Sequence, residues 1–209
     1  MLNKLVGAEI ALELDAQLML RVRVGDTASF DQLLAKYRCP VVGYLARMVR
    51  NQAVAEELAQ EVFLRVYKAR ASYEPTAKFT TWLYRIATRV ALNSIRDAKP
   101  QSGDRSLQES VQGKQPIQPA DSRPNREQEL VADARLIAVR HAIASLPDKQ
   151  KAAVLMHKYQ ELDYGQIAIA LGCSVSAVKS LLFRAYGTLR SRLEEVLLNN
   201  DSQQSQVTR

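Results

Sequence analysis

Apolar residues recur at steps of three and four over most of this chain, the spacing that places them on one buried face of an α-helix. Residues 15–24 read as a short helix, with Gly25 as its stop and Asp26 as the N-cap of the next. That next helix carries Phe30, Leu33, Leu34 and Tyr37, then meets Pro40, which is expected to kink or restart it. A third helix is predicted over 53–69, a loop punctuated by Pro75 over 71–79, and a fourth helix over 80–96. Further on, one helix ends at Leu146 and Pro147 and another covers 148–159. Two more are joined by a tight turn at Gly172. With only 8 glycines and helical spacing almost throughout, the predicted class is all-α.

The pattern lapses between residues 97 and 126. Four of the seven prolines fall there (Pro100, Pro116, Pro119 and Pro124), and Leu107, Val111 and Ile117 are almost its only large apolar residues. Such a composition buries too little surface to offset its ordering entropy, so the segment reads as a flexible linker. It divides the chain into two small helical domains, 15–96 and 127–198, the second a four-helix domain. The polar tail, 199–209, is expected to be disordered.

Charge narrows the partners. Lys plus Arg number 29 against 22 Asp plus Glu, a formal net charge of +7, which suits nucleic acid first and an acidic membrane second. Cys39 and Cys173 lie far apart with no zinc-type spacing, and neither His141 nor His157 has a ligand pattern beside it. No metal, cofactor or catalytic constellation is expected, so an enzyme is not the predicted class. The N-terminal apolar residues are broken by Lys4, Glu9, Glu13 and Asp15, unlike a secretory signal, and no apolar run is long enough to insert in a membrane. The expected compartment is the cytoplasm, with both thiols free and the chain a monomer.

The strongest signal is ELDYGQIAIALGCSVSAVKSLLFRAYGTLRSRL. Asp163 and Gln166 have the spacing of a capping box. Gly172 permits a sharp turn, and Ser174 is placed to cap a second helix. Val175, Val178, Leu182, Ala185, Leu189, Leu193 and Val196 then form one apolar stripe. The other side holds Ser176, Lys179, Ser180 and Arg184, and between Ser174 and Arg192 there is no acidic residue. This is the pattern of a helix-turn-helix whose second helix enters a major groove.

Two further segments stand out. In FTTWLYRIATRVALNSIR, Arg85, Arg89 and Arg96 share a helix face, with Tyr84 and Asn93 beside it and Lys78 just before. Cations with aromatics and an amide suit single-stranded or melted DNA, although a solvated basic face has the same pattern. Trp82 fits a core position or a stacking platform. In AEELAQEVFLRVYKA, Leu58, Ala59, Val62 and Val66 form the inner stripe, while Glu57, Gln60, Glu61 and Arg65 lie opposite. Phe63 beside that polar group is expected to be an exposed anchor for a partner helix. An ordinary surface helix with a Glu61–Arg65 pair also accounts for the pattern.

In this order, the segments resemble the extracytoplasmic-function type of bacterial RNA polymerase sigma factor, of the sigma-70 family. The resemblance covers most of 15–96 and 127–196. It implies a protein that binds core RNA polymerase and directs promoter recognition and transcription initiation, with an anti-sigma factor as second partner. AEELAQEVFLRVYKA resembles the helix that docks on the clamp of the largest polymerase subunit, with Glu57, Gln60, Glu61 and Phe63 on motif positions and Arg65 beside them. FTTWLYRIATRVALNSIR resembles the helix that reads the melted minus-10 element, implying contacts from Lys78, Tyr84, Arg85, Arg89, Asn93 and Arg96. The helix-turn-helix resembles the domain that binds the duplex minus-35 element, implying contacts from Ser174, Ser176, Lys179, Ser180 and Arg184. Departures are Arg89 at a usual asparagine, Asn93 at a usual aspartate, Ala177 at a threonine, Leu181 at an arginine, and Tyr186–Gly187 at a basic pair. A helix-turn-helix repressor or activator that needs no polymerase is the alternative, and it leaves the clamp-like segment unexplained.

Overall fold

The computed structural model describes residues 13–98 and 126–207, with side chains described over 13–98 and 135–194. Among the described residues there are eight α-helices and no strand. They are α1 (Leu14–Arg23), α2 (Thr27–Val49), α3 (Gln52–Lys68), α4 (Phe79–Ala98), α5 (Arg126–Ala144), α6 (Asp148–Tyr159), α7 (Tyr164–Leu171) and α8 (Val175–Val207). A single 3-10 turn, Ala69–Ser72, follows α3.

Local chemistry sets most boundaries. Gly25 follows α1 at φ +100, a conformation L side chains seldom adopt. The Asp26 carboxylate caps α2, accepting from the Ser29 amide at 3.2 Å and the Ser29 hydroxyl at 2.7 Å. Those two hydrogen bonds hold its carboxyl below the usual range. Asn51 caps α3 through the Val54 amide at 3.1 Å. The first amide of α4, Phe79, donates to Glu13 Oε2 at 3.2 Å, so residues ahead of α1 help start α4.

Two helices run through positions where the sequence suggested a change. Helix α2 is continuous through Pro40 rather than restarting there. Leu33, Tyr37, Val41, Tyr44, Leu45 and Met48 form one buried stripe across the proline, while Pro40 itself is exposed. Pro40 lacks the N–H that would continue the helix ladder, and the shared buried stripe holds both halves together. Helix α8 spans Val175–Val207 and so extends into the segment read as a tail from 199. No glycine or proline follows Gly187 to stop it. The linker expected over 97–126 falls mainly outside the described residues; Asp97 and Ala98 end α4 and Arg126 opens α5.

The first half packs α2 between α1, α3 and α4, and the second packs α8 against α5, α6 and α7. Their buried residues form one cluster, because α6 also meets α2 and α7 lies on α4. Residues Lys151 to Met156 of α6 are buried on every side of the helix. Consecutive helical residues project about 100° apart, so the run AAVLM needs neighbours all round. At the junction Thr88 shares a 2.7 Å hydrogen bond with the Tyr44 hydroxyl and reaches Met156 Sδ at 4.0 Å. The Tyr84 hydroxyl donates to Gln160 Oε1, and the Arg47 guanidinium lies 4.5 Å from the centre of the Tyr159 ring.

Candidate nucleic-acid interface

The helix-turn-helix is built from local hydrogen bonds. Asp163 Oδ1 accepts from the Gln166 amide at 2.8 Å, and Gln166 Oε1 accepts from the Asp163 amide at 2.8 Å, a full capping box. Gly172 turns the chain at φ +64, and Ser174 Oγ caps α8 through the Ala177 amide at 3.1 Å. Val178, Leu182 and Ala185 are buried, which fixes the rotation of α8. Val175, expected on that stripe, is exposed instead: it opens the first turn, beyond the reach of the α6 and α7 core. Val196 lies outside the described side chains.

That rotation puts Ser174, Ser176, Lys179, Ser180 and Arg184 in solvent on α8. The Arg184 Nε donates to the Ser180 carbonyl at 3.2 Å, and the Ser180 hydroxyl donates to the Ser176 carbonyl at 3.1 Å. Phe183 joins this face and is 81% exposed. Lys179, Ser180, Phe183 and Arg184 together line a shallow hollow. Sequence reading missed Phe183. The available signal was its position one residue beyond the buried Leu182 and four beyond Lys179, which sends an aromatic out among cations. An exposed aromatic beside two cations offers an apolar contact to a thymine methyl, next to donors for phosphate or guanine.

On α4, Arg85, Arg89 and Arg96 are exposed along one side, Asn93 is half-buried, and Lys78 is exposed just before the helix. Arg96 Nε approaches Asp97 Oδ1 at 3.2 Å, both ends exposed. Tyr84 does not join them. It is buried, its ring 5.3 Å from that of Tyr44 and its hydroxyl on Gln160. Burial, with Tyr44 nearby, pushes its phenol far up. The reason is its offset: Tyr84 precedes Arg85 by one step and turns toward Thr88 and Ala91, the side covered by the second half. Trp82 is half-buried in an aromatic group, 4.9 Å from Tyr73 and 5.9 Å from Phe79 between ring centres. The Tyr73 hydroxyl is buried without a hydrogen-bond partner. Burial first, then the charges of Glu13 and Asp15, push its pKa up to about 12.

On α3, Glu57 and Gln60 are exposed, and Arg65 donates to Glu61 Oε1 at 2.5 Å as an i,i+4 pair. The expected exposure of Phe63 is corrected: it is 6% exposed. Ala55, Ala59, Val62, Phe63 and Val66 are buried together, a stripe two residues wide that takes in Phe63 beside Val62. Leu64 is the apolar residue that faces out, 51% exposed. Thr27, Phe30, Asp31, Phe63, Leu64 and Tyr67 line an open hollow of about 430 Å³. Phe63 thus offers a groove wall rather than a projecting anchor.

Among the described residues no three His, Cys, Asp or Glu side chains come together as a metal site. Nor is any single described helix long and apolar enough to cross a membrane.

The chain matches the family models "Sigma-70 region 2" over residues 33–101 and "Sigma-70, region 4" over 136–189. It is 31% identical over 189 residues to RNA polymerase sigma-H factor of Pseudomonas aeruginosa, covering 88% of this chain and 96% of that one. It is 30% identical over 187 residues to ECF RNA polymerase sigma factor SigW of Bacillus subtilis, covering 84% and 95%. Its fold is similar to that of CnrH solved in complex with the cytosolic domain of CnrY, with TM-score 0.65, 18% identity and coverage of 88% and 99%. The two regions matched fall on α2–α4 and α5–α8, the same halves that carry the basic face and the helix-turn-helix. The chain belongs to the RNA polymerase sigma factors of the sigma-70 family, in their extracytoplasmic-function branch.

Proposed function

We propose that this sigma factor works through three of its own surfaces. The α8 face bearing Ser174, Ser176, Lys179, Ser180, Phe183 and Arg184 enters the major groove of the duplex minus-35 element. Lys78, Arg85, Arg89, Asn93 and Arg96 hold the minus-10 strand as it opens, cations on phosphates and the Asn93 amide toward a base edge. Glu57, Gln60, Glu61 and Arg65 rim the docking surface for the clamp of the largest polymerase subunit, and the hollow walled by Phe63 and Leu64 receives an apolar side chain. Tyr84 acts from behind the basic face, as packing.

The working units are 15–96 and 127–198, joined by 97–126. The free protein is a cytoplasmic monomer. Its part is recognition, and RNA synthesis itself stays with the polymerase. An anti-sigma protein is its second partner; CnrH, which has a similar fold, was solved with the cytosolic domain of CnrY.

The observation that carries this reading is the acid-free, solvent-facing start of α8, held by the Gly172 turn and the Ser174 cap. Gel-shift titration of a promoter duplex, with and without core polymerase, tests it. Tight promoter-specific binding is expected with polymerase and weak binding without. Equal, tight binding of the chain alone, as a dimer on two half-sites, supports a polymerase-independent regulator instead.

A further inference from the structure

Helix α4 begins after a residue that cannot cap it. Lys78 carries only donors on its side chain, where the orphan amides of a first helical turn need an acceptor. The acceptor comes from 66 residues earlier: Glu13, half-buried ahead of α1, takes the Phe79 amide on Oε2 at 3.2 Å. Its charge also complements the positive end of the α4 dipole. With the cap supplied by another segment, a cation can stand exposed at the start of the basic face, and Lys78 does.

The other end of the same loop is tied to the other end of the same helix. Arg23 Nη1, in the last turn of α1, donates to the Tyr73 carbonyl at 3.4 Å. Between the two ties, residues 74–76 and Lys78 are exposed, and the Thr76 amide folds back on the Glu74 carbonyl at 2.8 Å. Tyr73 and Phe79 flank the loop, both buried, their ring centres 6.4 Å apart. Helix α1 is fixed independently of the loop. Asp15 is held by Lys36 and Tyr37 of α2, and Leu18, Met19 and Val22 are buried. A helix anchored on α2 that reaches from each of its ends to one end of a loop is a brace. A loop left unbraced would have to be ordered at the moment of binding, at an entropic cost to affinity. Lys78, Arg85 and Arg89 follow one another at steps of seven and four, so the braced loop leads straight into the basic face.

We propose that Glu13, assisted by Arg23, is a positioning residue for minus-10 recognition: from α1 the two side chains brace the 74–78 loop and so fix Lys78 and the start of α4 against the opening strand. Neither side chain touches DNA in this role. The inference rests on the reading of Lys78 and the α4 basic face as the minus-10 surface.

Trp82 is the chain's only tryptophan, and its ring centre lies 4.9 Å from that of Tyr73 and 5.9 Å from that of Phe79. Its fluorescence therefore reports the two ends of the loop before any DNA is added. Glu13→Ala/Arg23→Ala should raise acrylamide quenching of Trp82 in the free chain. Circular dichroism, core-polymerase association and minus-35 duplex binding should keep the parent values. In run-off transcription with core polymerase, discrimination between an intact and a base-substituted minus-10 element should fall about tenfold. Glu13→Gln keeps an acceptor for the Phe79 amide and should match the parent in quenching and in discrimination. Either readout staying at the parent value in the double variant overturns the brace, as does Glu13→Gln behaving like Glu13→Ala. A double variant that loses polymerase and minus-35 binding in step with discrimination also overturns it, because the ties then serve the whole fold. If the parent does not discriminate among minus-10 bases, or if Lys78→Ala/Arg85→Ala leaves discrimination untouched, the reading of α4 fails and this inference falls with it, whatever Trp82 shows.

Discussion

Asp15 of α1 accepts a 2.5 Å hydrogen bond from the Tyr37 hydroxyl of α2. Both of its carboxylate oxygens also lie 2.7 Å from Lys36 Nζ. Asp15 is buried while Lys36 is half in water, so this is a carboxylate drawn into the core and neutralised from its edge. Removing Lys36 leaves a buried charge with one partner; removing Asp15 leaves a buried hydroxyl with none. Asp15→Ala should lower unfolding free energy by about 2–3 kcal/mol, below the full buried-pair range because Lys36 stays solvated. Urea titration with an unchanged slope is the check, and a loss under about 0.5 kcal/mol contradicts it.

The Tyr73 phenol makes stability depend on alkaline pH. Its pKa stands at about 12 in the folded chain. Unfolded tyrosine titrates near about 10, so above that pH the unfolded state holds fewer protons and gains. The stabilisation is complete below about pH 10 and is lost as pH rises toward 12. Tyr73→Phe removes a buried hydroxyl that has no partner, so stability near pH 7.5 should be equal or higher. Its loss between pH 9.5 and about 11 should be shallower than in the parent. Urea midpoints across that range decide the matter, and parallel curves would remove Tyr73 from the account.

Gly172→Ala isolates the turn. Nothing lies within 4 Å of an added Cβ, so any cost comes from the backbone at φ +64. A loss of about 1–2 kcal/mol is expected, with Gly172→Asn milder. An unchanged melting temperature in Gly172→Ala would show that the turn relaxes freely.

Phe183 and Lys179 should separate by their salt dependence. Lys179→Ala should weaken duplex binding and flatten the salt slope by about one unit if it neutralises a phosphate. Phe183→Ala should weaken binding to the right sequence by about tenfold with the slope unchanged, since it adds no charge. Being exposed, it should leave the melting temperature untouched. Equal affinity of both variants and the parent for minus-35 duplex would take this face of α8 out of DNA recognition.

Phe63 and Leu64 are neighbours with opposite duties. Phe63→Ala should destabilise the chain by about 3–5 kcal/mol, as for a buried aromatic. Leu64→Asp should leave folding intact and weaken core-polymerase association by about tenfold or more. Surface-immobilised polymerase with each purified variant reads both. Normal binding by a folded Leu64→Asp chain would move the docking surface elsewhere.

What the sequence makes legible is what short-range chemistry decides. The limits of α6, the Asp163–Gln166 capping box, the Gly172 turn and the Asp26 cap all follow from residues within four positions of one another. The acid-free face of α8 is equally local. Less legible are choices between adjacent residues on a wide stripe, where Phe63 goes in and Leu64 goes out. Least legible is the contact between halves. Tyr84 looks like a neighbour of the basic face until Gln160, far along the chain, covers it. The run AAVLM in α6 was the one available hint, being apolar on more sides than a four-helix unit needs.

Run-off transcription from a linear promoter template, with purified core polymerase and mapped 5′ ends, tests the central claim most directly. With this chain present, a discrete start site a fixed distance downstream of paired minus-35 and minus-10 elements is expected. The product should vanish when Leu64→Asp or the Lys179→Ala/Arg184→Ala pair replaces the parent chain. Transcripts with scattered ends, or the same start site without the chain, would contradict the account.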